Sequence, residues 1–200
     1  CGISNYKEVK FAKSLGLDVI VTDHHDLPEK LPPADYILSP KLLSKGHRAR
    51  GLPGAGMAYY LIKGIINFIK NDEKNREHFY DDLKSEDYLD LLALAIVADV
   101  VPLKGENRFL LQKGLDQLSS SERVGIQKLF ELSGVNPQTL TEDDIGFRLG
   151  PLLNAAGRME SADIALETLL VDEENEAIKM AKKLVKINDR RKKSQRKIID

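Results

Sequence analysis

Two of the chain's four histidines stand side by side, in the tripeptide Asp23-His24-His25 within "VIVTDHHDLPEKLPPADYILSP", residues 19–40. Neutral imidazole is a common ligand for divalent transition metals, and an adjacent carboxylate can fix its tautomer. Neighbouring residues on a loop point in different directions, so one histidine can bind metal while the other faces a substrate. The plainer alternative is a solvated loop with no role. Asp99 raises a related question. It is a lone carboxylate near the end of the apolar run "LALAIVADVVPL", residues 92–103. The run predicts that Asp99 is buried and unpaired, at a cost of several kcal/mol that metal coordination can offset. A turn or cap at a helix end is the alternative, weakened because a helix C-terminus disfavours negative charge.

Two further segments carry polar or permissive residues. In "GLPGAGMAYYLIKG", residues 51–64, Gly54 and Gly56 at a helix start let backbone N–H groups approach an anion. The same glycines also suit an ordinary helix start after Pro53. In "LLNAAGRME", residues 152–160, Asn154 and Arg158 flank small residues, a surface suited to phosphate or to a plain helix–helix contact.

The elements that must position these residues are legible from periodicity. Asp18–Thr22 is β-branched and reads as a short buried strand, so Asp23-His24-His25 lies on the loop at its carboxyl end. Ligands bind at such strand ends in open α/β sheets. Pro28, Pro32 and Pro33 exclude a helix interior after the histidines. Ser4 is expected to cap a helix through Ala12 that Gly16 ends, and a second strand is expected around Tyr36–Leu38. From residue 54 the pattern is helical: "GAGMAYYLIKGIINFIK", the buried "DYLDLLALAIVADVV", the pair "RFLLQKGLDQL" and "RVGIQKLFELSG", two helices in 141–171 split near Gly157, and a long last helix. The fold class expected is α/β: a partial parallel sheet, then a mostly helical region and a long C-terminal connecting helix. The corresponding division is 1–50, 51–171 and 172–200.

A net charge of −1 gives no overall bias towards nucleic acid, so any such contact must be local. His47, Arg48 and Arg50 form one basic patch. Arg190, Arg191 and Lys193 belong to a basic tail that is either a solvated helix face or the border of a DNA groove. The stretch from Asp72 to Asp90 is acidic by comparison. A single cysteine excludes an internal disulfide framework, and no apolar run is long enough to span a bilayer. The expectation is a soluble, cytoplasmic protein.

Taken in order, "CGISNYKEVKFAKSLGLDVIVTDHHDLPEKLPPADYILSP", "GLPGAGMAYYLIKG", "ALAIVADVVPLKGENRFLLQKGL" and "GPLLNAAGRM" resemble the DHH phosphoesterase superfamily, and within it the RecJ branch. The resemblance implies a two-metal phosphodiesterase, dependent on Mn²⁺ or Mg²⁺, that degrades single-stranded DNA from the 5′ end in repair and recombination. It implies His24 and Asp99 as metal ligands, His25 facing the scissile phosphate, Asp23 as its supporting carboxylate, and Asn154 and Arg158 lining the substrate channel. Gly54 and Gly56 join the phosphate-binding set, and Arg48, Arg50, Arg190 and Arg191 are candidate DNA contacts. The implied partners are single-stranded DNA and a single-strand-binding protein, with a monomer as the expected state and no membrane association.

The chain departs from the family pattern at Leu152, where members often carry Arg. The family's remaining metal ligands, in an Asp-rich motif and an aspartate before "CGIS", and its DHH-associated domain lie outside the chain. The expectation is therefore a piece of a longer protein with half a metal site, inactive alone. Other readings are a DHH-family oligoribonuclease or cyclic-dinucleotide phosphodiesterase, and a non-catalytic Cdc45-like replication scaffold. A generic helical interaction domain would require several motifs to coincide by accident.

Overall fold

Apolar spacing along residues 6–14 produces a short first helix, α1 (Tyr6–Ser14), which turns Val9 inward. The computed structural model describes residues 2–71 and 83–199, so most of the acidic stretch 72–90 lies outside the described residues. Asn5, not Ser4, occupies the cap position of α1. Ser4 is drawn into a preceding 3₁₀ turn, Gly2–Ser4, closed by the Asn5 amide on the Gly2 carbonyl. Gly16, at φ +78°, follows the end of α1 in the left-handed conformation that glycine adopts without steric cost.

β1 (Ile20–Thr22) and β2 (Tyr36–Leu38) pair in parallel, with Ile20 opposite Tyr36 and Thr22 opposite Leu38. β1 is shorter and less covered than the sequence predicts. Val21 is buried but Ile20 is 60% exposed, because the elements packed on this small sheet cover only one side of the strand. The α1–β1–β2 unit is tied by polar contacts. Both Asp35 oxygens accept from Lys13 Nζ, at 2.7 and 2.8 Å, and one also accepts the Val19 amide at 2.7 Å.

Helices follow: α2 (Gly54–Asn71), α3 (Leu89–Ala98), α4 (Gly105–Ser119), α5 (Val124–Ser133), α6 (Glu142–Asp144), α7 (Gly150–Met159), α8 (Asp163–Leu170) and α9 (Glu174–Ile199). No helix among the described residues is long and apolar enough to cross a membrane. α3 is apolar nearly all round and sits in the core, its Leu92, Ala93, Leu94 and Ile96 buried; α4 lies against it. Full burial of each large aliphatic side chain contributes about 1.5–3 kcal/mol. Asp90 is buried in the same helix and fully engaged, accepting from Ser121 Oγ at 2.8 Å and Arg123 Nε at 2.9 Å. α7 and α5 both pack on α9.

The break expected near Gly157 falls instead at residues 160–162. Ala155 and Ala156 are fully buried in the core, and that packing outweighs the roughly 1 kcal/mol helix penalty of one glycine. Between α6 and α7, Ile145–Leu149 forms a π-helical turn, in which the Gly150 amide donates to the Ile145 carbonyl. A Cβ on Gly150 would lie 2.9 Å from that carbonyl oxygen, so the wide turn depends on the glycine.

Candidate metal and substrate site

The Asp23 amide donates to the Leu38 carbonyl, extending the β1–β2 ladder by one bond and fixing where the loop leaves the sheet. Its side chain then folds back over the loop. Oδ1 accepts the amides of His24 and His25, at 2.7 and 3.0 Å, and lies 2.6 Å from His25 Nδ1. Oδ2 accepts the Ile3 amide at 2.8 Å. Asp23 is 6% exposed; burial pushes its carboxyl up, but the hydrogen bonds from His25, Ile3 and His24 outweigh burial and hold it well below the usual carboxylate range. An ionised Asp23 places the His25 proton on Nδ1 and turns Nε2 away from the carboxylate.

Asp23, His24 and His25 bring their ligand atoms within 4.8 Å of one another. Both Asp23 oxygens are already occupied by protein donors, so the carboxylate orients the loop that carries the two imidazoles. The two rings lie 4.4 Å apart at 50° and so face different directions. His24 sits over Gly54: a Cβ there would be 3.3 Å from His24 Cδ2. Gly54 thus makes room for the ring. Gly56 is buried for a different reason, since a Cβ would meet the Leu52 side chain at 2.9 Å.

Asp99 occupies the C-cap of α3, and its side chain is 43% exposed, not buried as the apolar run suggests. Its amide still donates to the Ala95 carbonyl as the last helical bond, and the chain reaches the surface at Val100, 87% exposed. Asp99 Oδ2 lies 3.4 Å from His24 Nδ1. Two ligands about 2.1 Å from one octahedral cation lie roughly 3 Å apart, so this pair has the separation of two neighbours in one coordination shell. A carboxylate with an imidazole is a mixed donor set open to several divalent cations, manganese among them. Val100, directly after Asp99, is the only non-glycine residue with positive φ among the described residues, at +55°. A β-branched residue there costs about 1–3 kcal/mol. Ala98 and Val100, on either side of Asp99, both line a cavity of about 530 Å³ to which Phe147, Asn154, Arg158 and Arg191 also contribute.

The structure therefore brings Asp23, His24, His25, Gly54 and Asp99 together, with Asn154, Arg158 and Arg191 around the adjoining cavity. Leu152 is buried in the core, so its position offers no phosphate contact in this chain. Arg191 also donates Nε to Asn188 Oδ1 at 3.0 Å, and the other candidate arginines have protein partners. Arg48 pairs with Glu106, Arg190 with Glu160, and Arg50 donates to the Lys41 and Leu43 carbonyls.

Sequence reasoning missed the fastening that sets the distance between His24 and Asp99. Gly105, at φ +54°, lets α4 begin against Arg48, whose carbonyl oxygen would be 2.8 Å from a Cβ. Buried Glu106 accepts from Arg48 Nε at 2.8 Å and from the Tyr60 hydroxyl; burial, then Glu106, push the Tyr60 pKa upward. Asn107 Nδ2 donates to the Gly51 carbonyl at 2.7 Å and to that of Pro102 at 3.1 Å. The run Gly105-Glu106-Asn107 thus clamps the loop before α2 to the loop after Asp99. One signal was readable: a glycine followed by two polar residues at the start of a helix whose next turn is apolar.

The family described as "DHH family, N-terminal domain" matches residues 1–96, which include the strand-end Asp-His-His loop. Fewer than half of the residues fall in that match, while the similarity to proteins named RecJ extends along the whole chain. The chain is 40% identical over 192 residues to "Single-stranded-DNA-specific exonuclease RecJ" of Salmonella typhimurium, covering 96% of this chain and 33% of the relative. The protein of the same name from Bacillus subtilis is 35% identical over 199 residues, covering 100% of this chain and 23% of the relative. The chain thus spans a third or less of these curated relatives' length. Among solved structures, RecJ from Thermus thermophilus in complex with Mn²⁺ superposes with a TM-score of 0.82 at 32% identity, over 99% of this chain and 28% of that one. A second structure, of exonuclease RecJ bound to manganese, gives 0.83 at 32% identity, over 99% and 47%.

Proposed function

We propose that the full-length protein is a metal-dependent phosphodiesterase, a 5′–3′ exonuclease acting on single-stranded DNA in repair and recombination in the cytoplasm. The observation that carries this reading is the 3.4 Å approach of His24 Nδ1 to Asp99 Oδ2, from two segments far apart in sequence. His24 and Asp99 would hold Mn²⁺ or Mg²⁺. Such a cation polarises a phosphoryl oxygen and lowers the pKa of water, the chemistry that phosphodiester hydrolysis needs. His25, its Nδ1 proton held by Asp23, faces the scissile phosphate with its other nitrogen. Asn154 and Arg158 bind the strand beyond it. Residues 1–50 supply the histidine loop, 51–171 the helical support and Asp99, and 172–200 a connecting helix. The curated relatives named single-stranded-DNA-specific exonuclease support the substrate class.

The test is hydrolysis of end-labelled single-stranded DNA by the full-length protein with Mn²⁺, compared with His24→Ala. Loss of a ligand removes several kcal/mol of transition-state stabilisation, about a thousandfold in rate. Unchanged cleavage by His24→Ala sinks the assignment, and preference for dinucleotides over long strands moves the substrate class. The 200-residue chain alone is expected to be silent in the same assay.

A further inference from the structure

We propose that the cavity between Asp99 and α7 is a slot for one nucleobase of the bound strand, walled by Val100 and Phe147; this rests on the proposed action on single-stranded DNA. Two features that ordinarily destabilise a protein are concentrated at this one cavity. Val100 is 87% exposed and held in a left-handed conformation that β-branched residues avoid. Phe147 is 80% exposed, more than any other large aromatic among the described residues, and is carried outward by the π-helical turn. Such turns are frequent at functional sites. Both side chains line the same space, of about 530 Å³, a size typical of small-molecule sites.

The lining is divided by chemistry. Val100 and Phe147 give it apolar and aromatic walls, Arg158 and Arg191 contribute guanidinium groups, and Glu142 and Asp143 contribute carboxylates. A phosphate is attracted to the arginines and repelled by the acids. A base stacks on the aromatic face and offers its N–H edge to a carboxylate. An aromatic platform beside cationic groups is the pattern by which proteins hold single strands without reading sequence. The slot adjoins Asp99, so a seated base fixes the neighbouring phosphate near His24 and His25. Phe147 and Val100 are in this sense positioning residues for the strand.

The experiment uses the full-length protein, an oligothymidylate, and the same strand with one abasic nucleotide stepped along its first residues. Binding is read by fluorescence anisotropy without metal, and KM and kcat with Mn²⁺. Phe147→Ala is expected to weaken binding and raise KM about tenfold, the effect of losing one base–aromatic stack, with kcat changed less. Phe147→Trp restores affinity, and Phe147→Leu does not. The abasic penalty at one position, present in the parent protein, disappears in Phe147→Ala. Equal binding by the Leu and Phe proteins shows that Phe147 packs against another protein segment and overturns the slot. So does an abasic penalty that the Ala variant retains. A parent protein that binds the strand but does not cleave it defeats the hydrolase reading while the binding series still decides the slot; one that does not bind defeats both.

Discussion

Between Ile3 and Arg50 the buried apolar side chains, prolines apart, are Ile3, Val9 and Val21, whereas from Leu52 onward one continuous cluster runs through the helices to Ile187. The first region is held by directed polar contacts: Asp35 to Lys13 and Val19, Asp23 to Ile3 and the histidine loop. The second is held by close packing. The candidate site takes His24 from the first region and Asp99 from the second. Its geometry therefore depends less on either region than on the fastening between them. Polar contacts fix direction and suit a loop that must aim imidazoles, while an apolar core fixes distance and suits a carboxylate that must stay put.

The contrast is broken most severely in the helical region. A Cβ on Gly125 of α5 would lie 1.6 Å from the Thr168 carbonyl oxygen in α8, an overlap that no side-chain adjustment relieves. Gly125→Ala should destabilise by roughly 4 kcal/mol or more and lower the melting temperature by about 10 °C. Gly46→Ala, in the polar-held region, has nothing within 4 Å of the new methyl group and should be neutral. Thermal melts followed by circular dichroism compare the two. A similar loss for both variants would erase the distinction between packed and polar-held regions.

Glu106→Ala attacks the fastening. The half-buried Tyr60 hydroxyl loses its acceptor, at a cost of about 1–3 kcal/mol, while Arg48, three-quarters exposed, is resolvated at little cost. Mn²⁺ affinity, measured by calorimetry, should fall as well, roughly tenfold, because the loop that leads into Gly54 under His24 is no longer clamped to the segment after Asp99. Urea midpoints lowered with Mn²⁺ binding intact would show that the distance between the two candidate ligands, His24 and Asp99, is set elsewhere.

What the sequence disclosed follows the same division. Asp23-His24-His25 was legible because three polar residues ending a β-branched run have no packing role. The long helices were legible from their period, and Gly134 at φ +67° caps α5 as glycine is expected to. Contacts whose logic is three-dimensional were not legible. Nothing local in Glu106 or Asn107 announces Arg48 or Gly51. The exposure of Asp99 follows from where α3 stops, and apolar neighbours in sequence hide that. Gly157 invited a helix break that Ala155 and Ala156 overrule by burial. The outward placement of Phe147 was not legible, since a π turn shifts the phase that periodicity assumes.

The smallest effect sharpens the comparison by its pH dependence. Asp35 is held below the usual carboxylate range by its hydrogen bond to Lys13 and by the Val19 amide. A carboxyl depressed in the folded state contributes stability above its unfolded pKa, near 3.9, and that contribution is lost as pH falls through the lower folded value. Asp35→Asn should therefore melt slightly below the parent at pH 7, with a difference that shrinks with added salt and vanishes under acid conditions. The deficit of Gly125→Ala arises from steric overlap and should change with neither salt nor the titration of Asp35. Melting curves of both variants at neutral and acid pH, each at low and high salt, separate the two kinds of cohesion. A pH-independent, salt-independent deficit for Asp35→Asn would mean that its hydrogen-bond geometry, and not its charge, joins α1 to the sheet.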